Sequence, residues 1–303
     1  TKQYRKIKCD ETGKIWAIPN VVSGSLVYFE NEKWNAIPLP YTKTAKGYIT
    51  SFEIMYENNE PVICIGSYNG IDVYRNKSWK HYSVSDDKAQ NIVLSVTRYK
   101  NDFYLGTNKG ICVLRNSGPD WSLNQKINSS QNTVLAVKFE SIKAQPDRMW
   151  VLTSKSIGYF VNTVYTSVAD NFELEDVDIA HFPYLEITKN HDLIFGNNFS
   201  KYLFKISENQ LIPLRVKNGF SSNGASAVFI DREGNIWFTD SRGVDKVSNI
   251  SIVNYFESGG LPANEVTAIA QTLDGKFVLG HNNLISILDD NKFTRIEFPG
   301  YQN

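Results

Sequence analysis

Apolar and polar residues alternate along most of this chain in short runs, and clusters of Asn, Asp or Gly close the runs. Ile71-Asp72-Val73-Tyr74 is one of them. A period of two sends successive side chains to opposite faces of an extended strand, so the runs predict β-strands with buried faces. No apolar stripe at the helical period is sustained, which predicts few helices.

The runs are themselves periodic. A turn rich in Asp, Asn and Gly leads into an apolar doublet, then a small or polar turn, then a second alternating stretch; Asp231–Val244 is the clearest copy. Aligned on Trp237, the copies are anchored at Trp16, Cys64, Tyr104, Trp150, Ile194, Trp237 and Val278, at intervals of 48, 40, 46, 44, 43 and 41 residues. Two residues beyond the anchor stand Gly66, Gly106, Gly196 and Gly280, where a Cβ would obstruct a neighbouring strand. Six beyond it stand Gly70, Gly110 and Gly243, suited to a hairpin turn.

Unit two reads as four strands: Ser51–Tyr56, Val62–Ser67, Ile71–Arg75 and Trp79–Val84. Four strands per unit, at a period of about 40–45 residues, predict the blade of a propeller. The fold expected is therefore all-β, a seven-bladed β-propeller of four-stranded antiparallel blades filling residues 1–303 as a single domain. The chain opens on a first strand, Tyr4–Asp10, and closes on a fourth, Phe293–Phe298. Closure would then rest on packing of blade one against blade seven, and continuation of the natural protein past at least one end is expected. The Thr-Lys-Gln-Tyr start reads likewise as that of a mature or excised segment.

Composition narrows the functional classes. Lys plus Arg and Asp plus Glu both number 32, so there is no electrostatic footprint for nucleic acid. Aromatic residues make up 13%, which favours strands. Cys9, Cys64 and Cys112 form no CxxC and read as small buried apolar residues.

Three stretches carry a resemblance: Gly260–Gly280, Phe220–Val247 and Tyr104–Val113. Their Gly-Leu-Pro, Asp-Gly and Leu-Gly-Thr-Asn-Lys-Gly elements resemble the propeller repeats in the sensor region of Bacteroidetes-type hybrid two-component regulators. That resemblance implies a periplasmic or extracytoplasmic propeller, one segment of a longer membrane-anchored receptor. An immunoglobulin-like domain, a membrane span and a histidine kinase would follow it. Some members of that family sense oligosaccharides, and others feed diguanylate cyclases.

The candidate chemistry is sparse. Trp16, Trp150 and Trp237 read as packing between blades, with ligand stacking as the alternative. Asp10, Asp231 and Asp274 share one hairpin turn in different blades, which suits Asx-turns better than a hydrolase pair. His81 and His191 read as solvated, while His281 follows Gly280 in a turn where a functional role is open. No nucleophile elbow, phosphate loop or zinc motif occurs, and a catalytic site, a metal and a cofactor are all unassigned.

Binding is argued from geometry. Turns between second and third strands crowd one face of a propeller together with the loops between blades. Tyr68, Asn108, Lys109, Lys155, Asn198, Arg242, His281 and Asn282 occupy those turns and are the candidate ligand-binding residues. Pro38–Tyr48, Ser85–Asn91 and Ser122–Asn132 are the loops that would cover the face. Amide and guanidinium groups suit sugar hydroxyls, although turn formation alone predicts the same composition. The expected function is non-enzymatic ligand sensing in a two-component receptor, with a small molecule or oligosaccharide as ligand. Downstream domains of the same chain, and a second copy in a homodimer, are the expected partners. A scaffold for protein–protein assembly is the alternative, with a propeller lyase or glycosidase behind it.

Overall fold

The computed structural model describes residues 4–19, 24–40, 49–117, 121–127, 133–170, 172, 174, 183–197, 203–207, 210–214, 225, 227–239, 243–248, 255, 257, 260–263, 265–282, 284–289 and 292–296. Seven antiparallel sheets follow one another along the chain, each built from consecutive strands. Six have four strands, and the sixth along the chain has three among the described residues. This is the seven-bladed β-propeller that the repeat predicts. The chain divides into two compact units: Thr1–Ser248 carries the first six blades, and Asn249–Asn303 the seventh.

The first strands of blades one to six are Tyr4–Cys9, Ile49–Glu57, Val93–Tyr99, Val134–Glu140, Pro183–Ile187 and Ala227–Ile230. Those of blades two to six lie side by side in sequence order. Each strand turns back through a short hairpin, and the turn residues explain why. Asn31-Glu32, Asn58-Asn59 and Asn76-Lys77 take paired left-handed φ angles of 51° and 61°, 50° and 65°, and 50° and 61°. Two such residues in succession make the tight turn whose twist matches a hairpin, and Asn tolerates that region best after Gly.

The core lies in layers between blades. Alternation along a strand sends odd and even residues to different neighbours. In the second strand of blade two, Val62 and Cys64 pack with Phe103, Leu105 and Leu114 of blade three. Ile63 and Ile65 face the other way, onto Trp16, Ile18 and Leu26 of blade one. Blade four divides in the same manner. Trp150 and Leu152 join Leu193, Phe195 and Phe204 of blade five, while Met149 and Val151 join Ile111 of blade three. Full burial of a side chain such as Phe103 or Phe195 contributes about 1.5–3 kcal/mol.

The repeated glycines sit where blades approach closely. A Cβ on Gly106 would lie 2.5 Å from Ser95 Oγ and 2.8 Å from the Val134 carbonyl of the next blade. Hydroxyls tie the same seams, with Thr50 donating to the Val93 carbonyl at 2.6 Å and Thr97 to the Val137 carbonyl at 2.6 Å.

Several expectations need correction. Cys9 is exposed, unlike the buried Cys64 and Cys112. Ser122–Asn132 is not a loop up to residue 127: Trp121–Ile127 is the fourth strand of blade three. His81 Nδ1 lies 3.0 Å from the buried Asp72 carboxylate, and His191 Nδ1 lies 2.5 Å from Glu140, so neither is merely solvated. Asp72 and Glu140 are buried acids, and burying a carboxylate is costly without such partners. Among the described residues no helix is long and apolar enough to cross a membrane.

Candidate functional site

The turns between second and third strands are built alike in blades two, three and four. Each strand ends in a buried hydroxyl residue: Ser67, Thr107 or Thr153. That hydroxyl donates across the turn to the carbonyl of Gly70 at 3.2 Å, Gly110 at 2.9 Å or Ser156 at 3.1 Å. It also accepts the backbone N–H two residues on, from Asn69 at 3.1 Å, Lys109 at 3.1 Å and Lys155 at 3.3 Å. Gly70 and Gly110 complete the turns at φ 88° and 105°, where a side chain would be strained.

Segments between blades close onto these turns. The Gly70 N–H reaches the Asn91 carbonyl at 2.7 Å, Asn108 N–H reaches Ile92 at 3.3 Å, and Leu174 N–H reaches Ser154 at 2.9 Å. Asn91 also accepts the Val84 N–H through Oδ1 at 2.7 Å. Turns and interblade segments therefore meet at one end of the blades, as the loop-face argument requires. On that face Lys109 and Lys155 are exposed, Tyr68 is half-buried, and the Asn108 side-chain oxygen is buried without a hydrogen-bond partner.

The remaining candidates stand differently. Asn198 and Arg242 lie outside the described residues. His281 is buried in blade seven, with Nδ1 at 3.0 Å from the Glu265 carbonyl and Nε2 at 2.9 Å from Ser286 Oγ. Both ring nitrogens hold the blade's own turn together. Asn282 donates to Glu265 Oε2 at 2.5 Å from an exposed position.

The shared hairpin turn between first and second strands binds charge inward. Asp10 Oδ1 accepts the N–H groups of Thr12 and Lys14 at 2.9 and 3.0 Å. Its Oδ2 accepts the Trp16 indole and the Tyr56 hydroxyl, each at 2.6 Å. Burial pushes this carboxyl up, but the bonds from Tyr56, Trp16 and Thr12 outweigh it and hold it at about 2. Asp231 repeats the arrangement with the Asn235 N–H at 2.7 Å and the Trp237 indole at 2.8 Å. In blade four the longer Glu140 reaches the Trp150 indole at 2.7 Å. Asp274 shares the turn but not the role. Thr272 takes the capping position there, accepting the Lys276 N–H at 3.0 Å.

Sequence reasoning missed a set of charges between the first strands. Lys8 pairs with Glu53 of blade two, and Lys138 Nζ of blade four meets Glu186 of blade five at 2.7 Å. Removal from bulk water, with repulsion from Lys138 and Lys6, pulls the Lys8 ammonium down to about 7, while Glu186 opposes. Charges of blades one, two, four and five thus converge. Their signal was present as single charges flanked by apolar residues: Phe52-Glu53-Ile54, Val137-Lys138-Phe139 and Leu185-Glu186-Ile187. Among the described residues no group of three His, Cys, Asp or Glu side chains is placed to hold a metal ion.

No protein-family model matches the sequence, and no curated protein does. Solved structures of similar fold do. A streptogramin B lyase is 14% identical, with 97% of this chain and 93% of its own covered at a TM-score of 0.56. PorZ, a surface component of the type-IX secretion system of Porphyromonas gingivalis, is 11% identical, with 97% and 46% covered at 0.54. The extracellular domain of a putative hybrid two-component system of B. thetaiotaomicron is 15% identical, with 98% and 46% covered at 0.49. This chain spans a little under half the length of the two-component extracellular domains it matches. At these identities the likeness concerns the fold, a β-propeller.

Proposed function

We propose that this chain is a non-enzymatic ligand-sensing propeller in the periplasmic or extracytoplasmic part of a bacterial two-component receptor, responding to oligosaccharides. The observation that carries the reading is the loop face. Its turn hydroxyls are consumed in holding the turns, so Lys109 and Lys155 stand out from a rigid frame. Tyr68 and Asn108 lie in the same set of turns and add an aromatic ring and an amide. The turn backbone is fixed before a ligand arrives, while each flexible lysine side chain still loses rotamer freedom on binding. The repeat's resemblance to two-component sensor propellers supports the setting, and downstream receptor domains would receive the signal. A ligand shifts such a receptor only through unequal affinity for its two states.

Titration calorimetry against oligosaccharide panels tests the reading. Saturable binding weakened about tenfold by Lys109→Ala with Lys155→Ala, a difference of about 1.4 kcal/mol, is the expected result. A full-length receptor that binds no oligosaccharide, with growth on glycans unchanged by its deletion, would sink it.

A second reading, a scaffold for receptor assembly, is favoured by one observation. Val164 and Tyr165, on the fourth strand of blade four, are 68% and 42% exposed. That strand is exposed on both faces from Val164 to Ser167 and is the outer edge of its sheet, so it offers a free edge to a partner strand. In that case substitutions at Val164 and Tyr165 abolish signalling, and those at Lys109 and Lys155 leave it intact.

A further inference from the structure

At the opposite end of the blades from the second-to-third turns lies a groove of about 580 Å³. It runs between the first and third hairpin turns of blade one's sheet, the adjoining strand of blade two and the Asn58-Asn59 turn. That volume falls within the range of about 300–1,000 Å³ usual for small-molecule sites. Its lining includes Lys14, Phe29, Glu30, Asn31, Tyr56 and Asn59.

Three features define what it could hold. First, an aromatic pair borders the groove, whose lining is otherwise mainly polar. Trp34 is 60% exposed and packs on Phe29 at a centroid distance of 5.2 Å, extending the aromatic wall beyond the groove's edge. Second, the charges are already paired. Lys14 Nζ meets Glu30 at 3.1 Å, Glu11 meets Arg98 at 3.2 Å, and Asp10 is saturated by its own turn with Trp16 and Tyr56. A strongly ionic ligand would have to displace one of those partners, whereas hydroxyls can join such pairs as extra donors and acceptors. Third, the frame is fixed. Tyr56 is held by Asp10, and the Lys14 ammonium sits 5.8 Å from the rings of both Tyr28 and Tyr56. Asn31 and Asn59 occupy left-handed turn positions at φ 51° and 65°.

We infer that this groove is a carbohydrate subsite for neutral oligosaccharides, with Trp34 and Phe29 as the stacking platform and Glu30, Asn31 and Asn59 as hydroxyl-binding groups. Aromatic faces match the C–H faces of pyranose rings, and carboxylate and amide groups match their hydroxyls. The inference rests on the ligand-binding reading above but places a sugar site at the other end of the blades.

The test is a calorimetric titration of the chain with maltohexaose, cellohexaose, xylohexaose and mannohexaose, with digalacturonate as the acidic arm and tryptophan emission as a second readout. At least one neutral glycan is expected to bind. Trp34→Ala and Glu30→Gln should each weaken it about tenfold, and Trp34→Phe should retain most of it. Trp34 is exposed, so its truncation should leave the unfolding midpoint in place, which a thermal melt checks. Neutral binding that survives Trp34→Ala and Glu30→Gln but is lost in the lysine variants overturns the groove and leaves the loop face standing. Binding of digalacturonate alone overturns the groove as well. No glycan bound by the full-length receptor overturns both.

Discussion

Asp10 shows how much one side chain does in this repeat. Five donors converge on its two oxygens, and two of them, the Trp16 indole and the Tyr56 hydroxyl, belong to different blades. Asp10→Ala orphans both, and its half-exposed setting limits the cost to about 1–2 kcal/mol in urea unfolding. The pH dependence has a definite sign. Because the folded carboxyl is held at about 2, below the unfolded value of about 4, its stabilisation is present above pH about 4. It is lost as pH falls through the folded value, so wild type and Asp10→Ala should converge between pH about 4 and about 2. A gap that persists at pH about 2 would show that the carboxylate charge is not what matters. Asp10 and Asp231 were legible from sequence as turn residues. That each also caps an indole was not, since the Asp and Trp stand six positions apart across a hairpin. Gly106 makes the steric counterpart. Gly106→Ala would press a methyl into Ser95 and the Val134 backbone, at a cost of about 1–3 kcal/mol by the same unfolding measurement.

At the scale of the element, strand spans and hairpin turns were readable because period two and Asn-rich turns are local signals. Unit two's second strand reads as Val62–Ser67 in the sequence and runs Glu60–Ser67 in the fold. Outer strands were harder. Trp121–Ile127 reads in part as a loop because its polar stretch Asn124-Gln125-Lys126 masks the alternation. The turn chemistry explains why polar residues on the loop face are ambiguous in sequence: Ser67, Thr107 and Thr153 are structural, while the lysines beside them are outward. Thr107→Val keeps the shape of a residue that is 1% exposed but removes both hydrogen bonds. It should cost about 1–3 kcal/mol. Phe195→Ala, in the layer between blades four and five, should cost about 3–5 kcal/mol and leave a cavity. A near-neutral result for either in denaturant titration would contradict the assigned packing.

Across the whole molecule, most of what the sequence displays strongly is architecture: glycines at seams, caps at turns, apolar layers between blades. The charges converging from four first strands are non-local, and no window of sequence brings Lys8 near Lys138. Since Lys8 is depressed to about 7 in the folded state, its folded form holds fewer protons than the unfolded chain between pH about 7 and the usual lysine value of about 10.4. Wild type should therefore gain stability relative to Lys8→Met as pH rises through that window, and chemical unfolding at pH about 7 and about 10 would reveal it. No relative gain would mean that the pair with Glu53 keeps Lys8 fully charged. The proposed function rests on a smaller set of residues, those exposed beside the turns. The most direct measurement is therefore binding of an oligosaccharide panel to the full-length receptor and to its Lys109→Ala, Lys155→Ala double variant. The account predicts saturable heat for the intact protein and affinity about tenfold weaker in the variant. Equal affinity in both would contradict the loop face as the sensing site, and no saturable heat from the intact receptor would contradict oligosaccharide sensing itself.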